Sequence, residues 1–283
     1  MATREMKIHT FDVGPGHPVL VVAEIGSNHG GSFDAALALI DAAADAGANA
    51  AKFQLWLSAD EMYDKAQFPT EWETTQKYRL PVEWLPTLRD RAHERGMAFG
   101  LSSFGFASLD EADKLVDFHK VASIEHTWEP FRTRVLDKAR PTLISIGLHD
   151  CESASLLGYS ISMICSVAYP CSINEVDLRR HPVGKWGFSD HTTHPTIAPC
   201  AAVALGACVV EKHIRLHPFS RYFVAGSEKP PDWDHSMKPT NFRFMVADIR
   251  LTEKALGSSE KRIRPSEEPY LRFRRGPRGL RGA

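Results

Sequence analysis

With 283 residues, 43% of them apolar and 24% charged, the chain is long enough for one large domain or two ordinary ones, and apolar enough to give either a core. Its 34 Lys and Arg offset 35 Asp and Glu to a net charge of −1, so nothing in its overall field calls for nucleic acid or an anionic membrane as partner. No apolar stretch approaches the roughly 20 residues of a membrane span, and the N-terminus has no secretory pattern. The five cysteines (Cys151, Cys165, Cys171, Cys200 and Cys208) form no C-x-x-C pair and read as reduced thiols of a cytoplasmic protein.

In chain order, residues 7–13, closed by Gly14-Pro15-Gly16, read as a small β hairpin ahead of the first strand, plugging the floor of the domain. Residues 19–23 are the first of eight short apolar runs, and Ala35, Leu39, Ile40 and Ala43 then recur at helical spacing. Residues 50–53, interrupted by Lys52, are the second; a polar excursion carrying Trp56, Trp72 and Trp84 comes next. A helix over residues 82–95 stops at Gly96, a good residue just past a helix end. The third run is 97–101, with a helix near 109–115, and the fourth is 118–122. The fifth and sixth are 142–146 and 160–165. The seventh is 184–188, leading into an apolar helix over 197–205, and the eighth is 207–210. A long amphipathic helix over 242–256 closes the series.

Units of roughly 30 residues that alternate strand and helix predict parallel strands with right-handed crossovers. Continuous apolar runs fit strands buried on both faces, and eight units close into a (β/α)₈ TIM barrel. The competing open, doubly wound sheet lacks a G-x-G-x-x-G after the first run. We expect residues 1–265 to form the barrel with its hairpin, and residues 266–283 to be a basic tail.

Barrel chemistry collects at the C-terminal ends of the strands. Reading the end of each run gives Glu24, Asn28 and His29, then Lys52 and Gln54, then Ser102 and Ser103. Lys120, Ser123 and Glu125 come next, then Ser145, Ser166 and Tyr169. The last two runs give Ser189, Asp190 and His191, and Glu211, Lys212 and His213. Lys52 and Lys120 among serines make an anion pocket; the plainer alternative pairs them with Glu24 or Glu125 in a structural network. His191 and His213 end adjacent strands, about 4.8 Å apart, so both imidazoles reach one cation. Glu125, Asp232 or Asp234 would complete a site suited to Mn²⁺, Fe²⁺ or Zn²⁺; the plainer alternative is a pair of hydrogen-bonded core histidines. A Schiff-base lysine would need an apolar pocket, which neither lysine has here. His9, His17, His93, His181 and His217 have no such setting and are expected on the surface.

Several segments resemble the N-acetylneuraminate (sialic acid) synthases and their legionaminic and pseudaminic relatives. They are Ala23-Glu24-Ile25-Gly26-Ser27-Asn28-His29-Gly30-Gly31, Ala51-Lys52-Phe53-Gln54, Lys120-Val121-Ala122-Ser123-Ile124-Glu125, Phe188-Ser189-Asp190-His191-Thr192 and Val210-Glu211-Lys212-His213. Asp234-His235 resembles the later P-D-H, with Asp232 the weaker match. The resemblance implies a metal-dependent barrel, with Mn²⁺ the expected ion and Mg²⁺, Co²⁺ or Zn²⁺ alternatives. Such a barrel condenses phosphoenolpyruvate with an N-acetylated sugar aldehyde and works as a homodimer. It implies that Lys52, Ser103, Lys120, Ser123, Ser145 and Ser189 hold phosphoenolpyruvate and that His191 and His213 bind the metal with Glu125 nearby. It also implies that Glu24, Gln54, Tyr169 and Asp234 face the sugar, with Glu24, Glu125 and Asp234 in catalytic roles.

The sequence departs from that pattern in places. Val167 stands where the family has an asparagine that helps to hold phosphoenolpyruvate, and Ser145-Ile146-Gly147-Leu148 stands for S-T-G-M. Extra residues, among them Phe219, Arg221, Tyr222 and Phe223, separate His213 from Asp234. The sequence ends at Ala283, where the family's C-terminal antifreeze-like domain would begin, so acceptor recognition is expected to differ. A Kdo 8-phosphate synthase-like condensation and a sugar-binding barrel with altered catalysis are the rival readings.

Overall fold

The computed structural model describes residues 6–147, 158–217, 222, 228–258, 260 and 262–273. Cys151, Phe219, Arg221, Phe223 and the end of the basic tail therefore lie outside the described residues. Residues up to Glu253 form one compact unit and those from Lys254 a second, in which Pro265–Phe273 is 3₁₀-helical.

The hairpin is β1 (Met6–Ile8) and β2 (Phe11–Val13), paired antiparallel. The eight runs become β3 (Leu20–Glu24), β4 (Ala50–Leu55), β5 (Ala98–Ser103), β6 (Phe118–Val121), β7 (Thr142–Ile146), β8 (Ser160–Ile164), β9 (Trp186–Asp190) and β10 (Val209–His213). All pair in parallel, and β10 returns to β3, so the sheet closes as a barrel and the open-sheet alternative is excluded. The helices are α1 (Phe33–Asp45), α2 (Pro69–Lys77), α3 (Leu85–Glu94), α4 (Phe106–Ala112), α5 (Glu129–Asp137), α6 (Ile197–Ala204) and α7 (Pro239–Leu256). Helices α2 and α5 went unread in the sequence. The first buries none of its residues and the second only Phe131 and Val135, so neither carries an apolar stripe long enough to show a period.

Side chains alternate across each strand, and that alternation separates two cores. Val21, Ala51, Phe53, Phe99, Leu101 and Val210 point outward against α1, α3 and α7. Leu20, Val22, Ala50, Ala98, Phe118, Leu143, Ile161, Met163 and Val209 point inward and fill the lower barrel, where Met6, Ile8 and Val13 of the hairpin join them. Gly100 makes room for this packing: a Cβ there would stand 2.2 Å from the ring of Phe118. One buried ion pair lies in the outward layer. Lys212 pairs with Asp190 and donates to the Thr192 carbonyl at 2.7 Å, tying β9 to β10 away from the lumen.

Candidate active site

The same alternation carries the inward rows of each strand up to the mouth. Leu20 and Val22 are followed by Glu24; Ala50 by Lys52 and Gln54; Ala98 and Gly100 by Ser102. Phe118 is followed by Lys120, Leu143 by Ser145, Gly187 by Ser189 and then His191, and Val209 by Glu211 and His213. Apolar side chains thus fill the bottom of the barrel, and polar ones from seven strands or their ends line a cavity of about 340 Å³ above them.

On one side of the cavity stands a cationic layer. Lys52 is buried in an ion pair with Glu24, lies 3.6 Å from Glu211 and donates to Ser102 Oγ at 2.8 Å. Glu211 also accepts from Ser189 Oγ at 2.9 Å. Lys120 donates to Ser145 Oγ at 2.7 Å and to its neighbour's carbonyl, Val121 O, at 2.9 Å. The charges do not behave alike. Burial lowers the pKa of Lys120 despite the pull of Glu211. At Lys52 the same burial penalty is outweighed by Glu211 and Glu24, and its pKa is raised. Burial pushes Glu24 up to about 7 against the attraction of Lys52. Glu211 is held below the ordinary range because Lys52 and Lys120 outweigh its own burial.

On the opposite side are three imidazoles and one carboxylate. The ring centres of His213 and His235 are 4.5 Å apart, those of His191 and His213 5.7 Å, and those of His191 and His235 6.0 Å. Asp232 Oδ1 lies 3.9 Å from His213 Nδ1 and 3.5 Å from His235 Nε2. Ser27 fixes Asp232 by donating from its backbone N–H and its hydroxyl, each at 2.7 Å, to Oδ2. Asn28 Nδ2 donates to Ile214 O and Ser236 Oγ, fastening the segment that presents Asp232 and His235. His191 Nδ1 meets the Ser166 carbonyl at 3.1 Å, so this nitrogen carries the proton and Nε2 is left to accept. Burial holds His191 down at about 4 and His213 well below the usual histidine range, so both are neutral near pH 7. Asp232 is ionised despite its burial, which His213 and His235 offset.

This arrangement fits a divalent cation. His213, Asp232 and His235 offer three ligand atoms within 4.8 Å of one another. The inner nitrogens His213 Nδ1 and His235 Nε2 are buried without a hydrogen-bond partner, which costs free energy unless something binds them. Neutral imidazoles with a carboxylate are ligands for Mn²⁺, Fe²⁺ or Zn²⁺.

The structure brings together Glu24, Lys52, Gln54, Lys120, Ser123, Ser145, Tyr169, Ser189, His191 and His213, all in the cavity wall. Tyr169 packs on His191 at 4.5 Å, and its hydroxyl is 3.4 Å from Ser123 Oγ. Three expectations are corrected. Asp234 does not reach the cavity: its side chain is 69% exposed and meets Lys229 Nζ at 3.0 Å, while Asp232 takes the inner place. Ser103 has the outward parity of Leu101 on β5, and Ser102 is the residue in the wall. Glu125 sits outside the wall, with Oε2 buried and unbonded, and burial raises it to about 7 although Lys120 is near.

Sequence reasoning named Glu211 at a strand end and His235 in a motif but gave neither a role, and it missed the wall formed by Trp56, Met62, Tyr63 and Tyr78. Glu211 was legible, since it shares the parity of Val209 and His213. His235 was legible from the Asp234-His235 motif, which did not tell which of Asp232 and Asp234 turns inward.

Known proteins share this architecture. The model of the NeuB family matches residues 39–261. The spore coat polysaccharide biosynthesis protein SpsE of Bacillus subtilis is 34% identical over 274 residues, 86% of this chain and 70% of that protein. The N,N'-diacetyllegionaminic acid synthase of Legionella pneumophila is 30% identical, over 88% of this chain and 76% of its own. A crystal structure of N-acetylneuraminic acid synthetase from Leptospira borgpetersenii in complex with citrate superposes with a TM-score of 0.82. That match covers 95% of this chain and 96% of the other at 23% identity, and carries the shared fold alone.

Proposed function

The chain belongs to the NeuB family, and from that footing we propose that it condenses phosphoenolpyruvate with a sugar aldehyde, yielding a 2-keto-3-deoxy sugar acid and phosphate. The observation that carries the reading is a single cavity with two buried lysines among serines on one side and a His–Asp–His cluster on the other.

Lys52 and Lys120 supply fixed positive charge for the phosphate and carboxylate of phosphoenolpyruvate, and Ser102, Ser123, Ser145 and Ser189 add hydroxyl donors. In a dry pocket such preorganised charge does most of its work by holding the enol carbon C3 against the aldehyde carbon. A divalent cation held by His191, His213, His235 and Asp232 would supply Lewis-acid polarisation of the aldehyde oxygen. As the C3–carbon bond forms, positive charge develops at C2, where water adds. Glu24, with its pKa near 7, takes that water's proton and returns one to the new alkoxide. The tetrahedral centre at C2 then expels phosphate by breaking its C–O bond, leaving the ketone.

The wall of Trp56, Tyr63 and Tyr78 offers an apolar, stacking face for the acceptor, and an N-acetylated hexose fits it better than a compact phosphosugar. The test is phosphate release from phosphoenolpyruvate with Mn²⁺ and a panel of aldoses. Release that requires an aldose, fastest with N-acetylated hexoses, supports the reading. Release indifferent to the aldose, or none with any, overturns it.

A further inference from the structure

At the opposite end of the barrel, His9, His93 and Asp117 converge. His9 occupies the turn between β1 and β2, His93 the last turn of α3, and Asp117 the residue before β6. The two imidazoles stack at 4.4 Å with 12° between their planes and turn their nitrogens to one carboxylate. His93 Nε2 is 2.8 Å from Asp117 Oδ2, which also accepts the Phe99 N–H at 2.8 Å. His9 Nδ1 faces Asp117 Oδ1 at 3.7 Å, beyond hydrogen-bond reach. The three ligand atoms lie within 4.8 Å of one another. From sequence both histidines are expected on the surface without a setting; they are instead half-buried and share a partner.

We propose that His9, His93 and Asp117 form a second divalent-cation site, suited to Zn²⁺, that fastens the hairpin to the barrel floor. The donor set favours a borderline-soft cation, since two imidazoles and a carboxylate are the ligands Zn²⁺ takes at ~2.0–2.2 Å. Two such bonds in a tetrahedral arrangement set their donors roughly 3.4 Å apart, near the gap between His9 and Asp117. The Phe99 N–H holds the carboxylate from behind, as the second layer of a metal site does. His9 holds a left-handed backbone, φ 53°, which a non-glycine residue keeps only where the surroundings enforce it. In that conformation its ring is laid over His93. With Met6, Ile8 and Val13 buried in the floor, a cation here ties hairpin, α3 and β6 at one point.

This site is independent of the condensation reading and is tested apart from activity. Zn²⁺ bound by the full chain is counted by equilibrium dialysis with elemental analysis, beside thermal melting with and without Zn²⁺. We expect two ions on the wild type. His9→Gln and His93→Gln should each weaken the same one by at least about tenfold, while His213→Ala should lose the other and keep the rise in melting temperature on adding Zn²⁺. Should His93→Gln fail to fold, His9→Gln, on a half-exposed turn, carries the test alone. Unchanged stoichiometry and affinity in His9→Gln, or no Zn²⁺ retained by His213→Ala, overturns the proposal.

Discussion

Replacing Lys120 by Met probes the anion pocket with little change in volume. The lysine is buried, donates to Ser145 Oγ at 2.7 Å and to Val121 O at 2.9 Å, and its pKa is lowered by burial. Its charge is therefore expensive to the fold. Lys120 makes no direct ion pair among the described residues but helps to hold Glu211 down, so its removal should cost about 1–2 kcal/mol, part of it from the donor that Ser145 Oγ loses. A hydrogen bond between a charged group and substrate is worth about 1.5–3 kcal/mol. At about 1.4 kcal/mol per decade, kcat/KM for phosphoenolpyruvate should fall about 10- to 150-fold. Steady-state kinetics at saturating aldose, beside a thermal melt, measures both quantities. A well-folded variant with unchanged kcat/KM would remove Lys120 from the pocket. A variant that melts far lower would show that the lysine serves the scaffold.

The same geometry makes four more outcomes measurable. Glu24→Gln should abolish a rate limb that rises through about pH 7, because the carboxylate form takes the proton; persistence of that limb in the variant excludes Glu24 as its source. Gly26→Ala places a Cβ 2.3 Å from Asp232 Oδ2 at a φ of 51°, so it should cost about 1–2 kcal/mol in backbone strain and loosen Mn²⁺ binding. A variant that binds Mn²⁺ as tightly as wild type counts against Asp232 as a ligand. Lys212→Met strands the buried Asp190 and should cost about 3–5 kcal/mol in denaturant unfolding; a loss under about 1 kcal/mol would contradict the pairing. His29 is neutral in the fold, its pKa lowered by burial to about 4 from 6.5. The unfolded chain therefore takes up a proton first, and stability is lost as pH falls from 6.5 toward 4. At about pH 4.5 the contribution is about 2–3 kcal/mol, which His29→Asn should remove from the pH slope.

The barrel was legible because each strand is a short apolar run closed by polar residues, and eight such runs alternate with helical stretches. The lower halves of those strands also fixed which side chains face the lumen: parity from Leu20 leads to Glu24, and from Ala50 to Lys52. The same rule, carried through β5, would have chosen Ser102 over Ser103. It fails over residues 228–236, where no helix or strand among the described residues sets side-chain direction. There a turn, with the Trp233 N–H donating to Pro230 O, decides that Asp232 and His235 point inward and Asp234 out. Helix α2 was invisible for a related reason, since a helix that buries nothing leaves no apolar stripe.

One cavity that holds an enol phosphate beside a cation is the central claim. A crystal soaked with phosphoenolpyruvate and Mn²⁺, measured at the manganese edge, tests it most directly. We expect anomalous density touching His191, His213, His235 and Asp232, with the phosphate and carboxylate on Lys52 and Lys120. Manganese found elsewhere, or phosphoenolpyruvate bound away from both lysines, would contradict it.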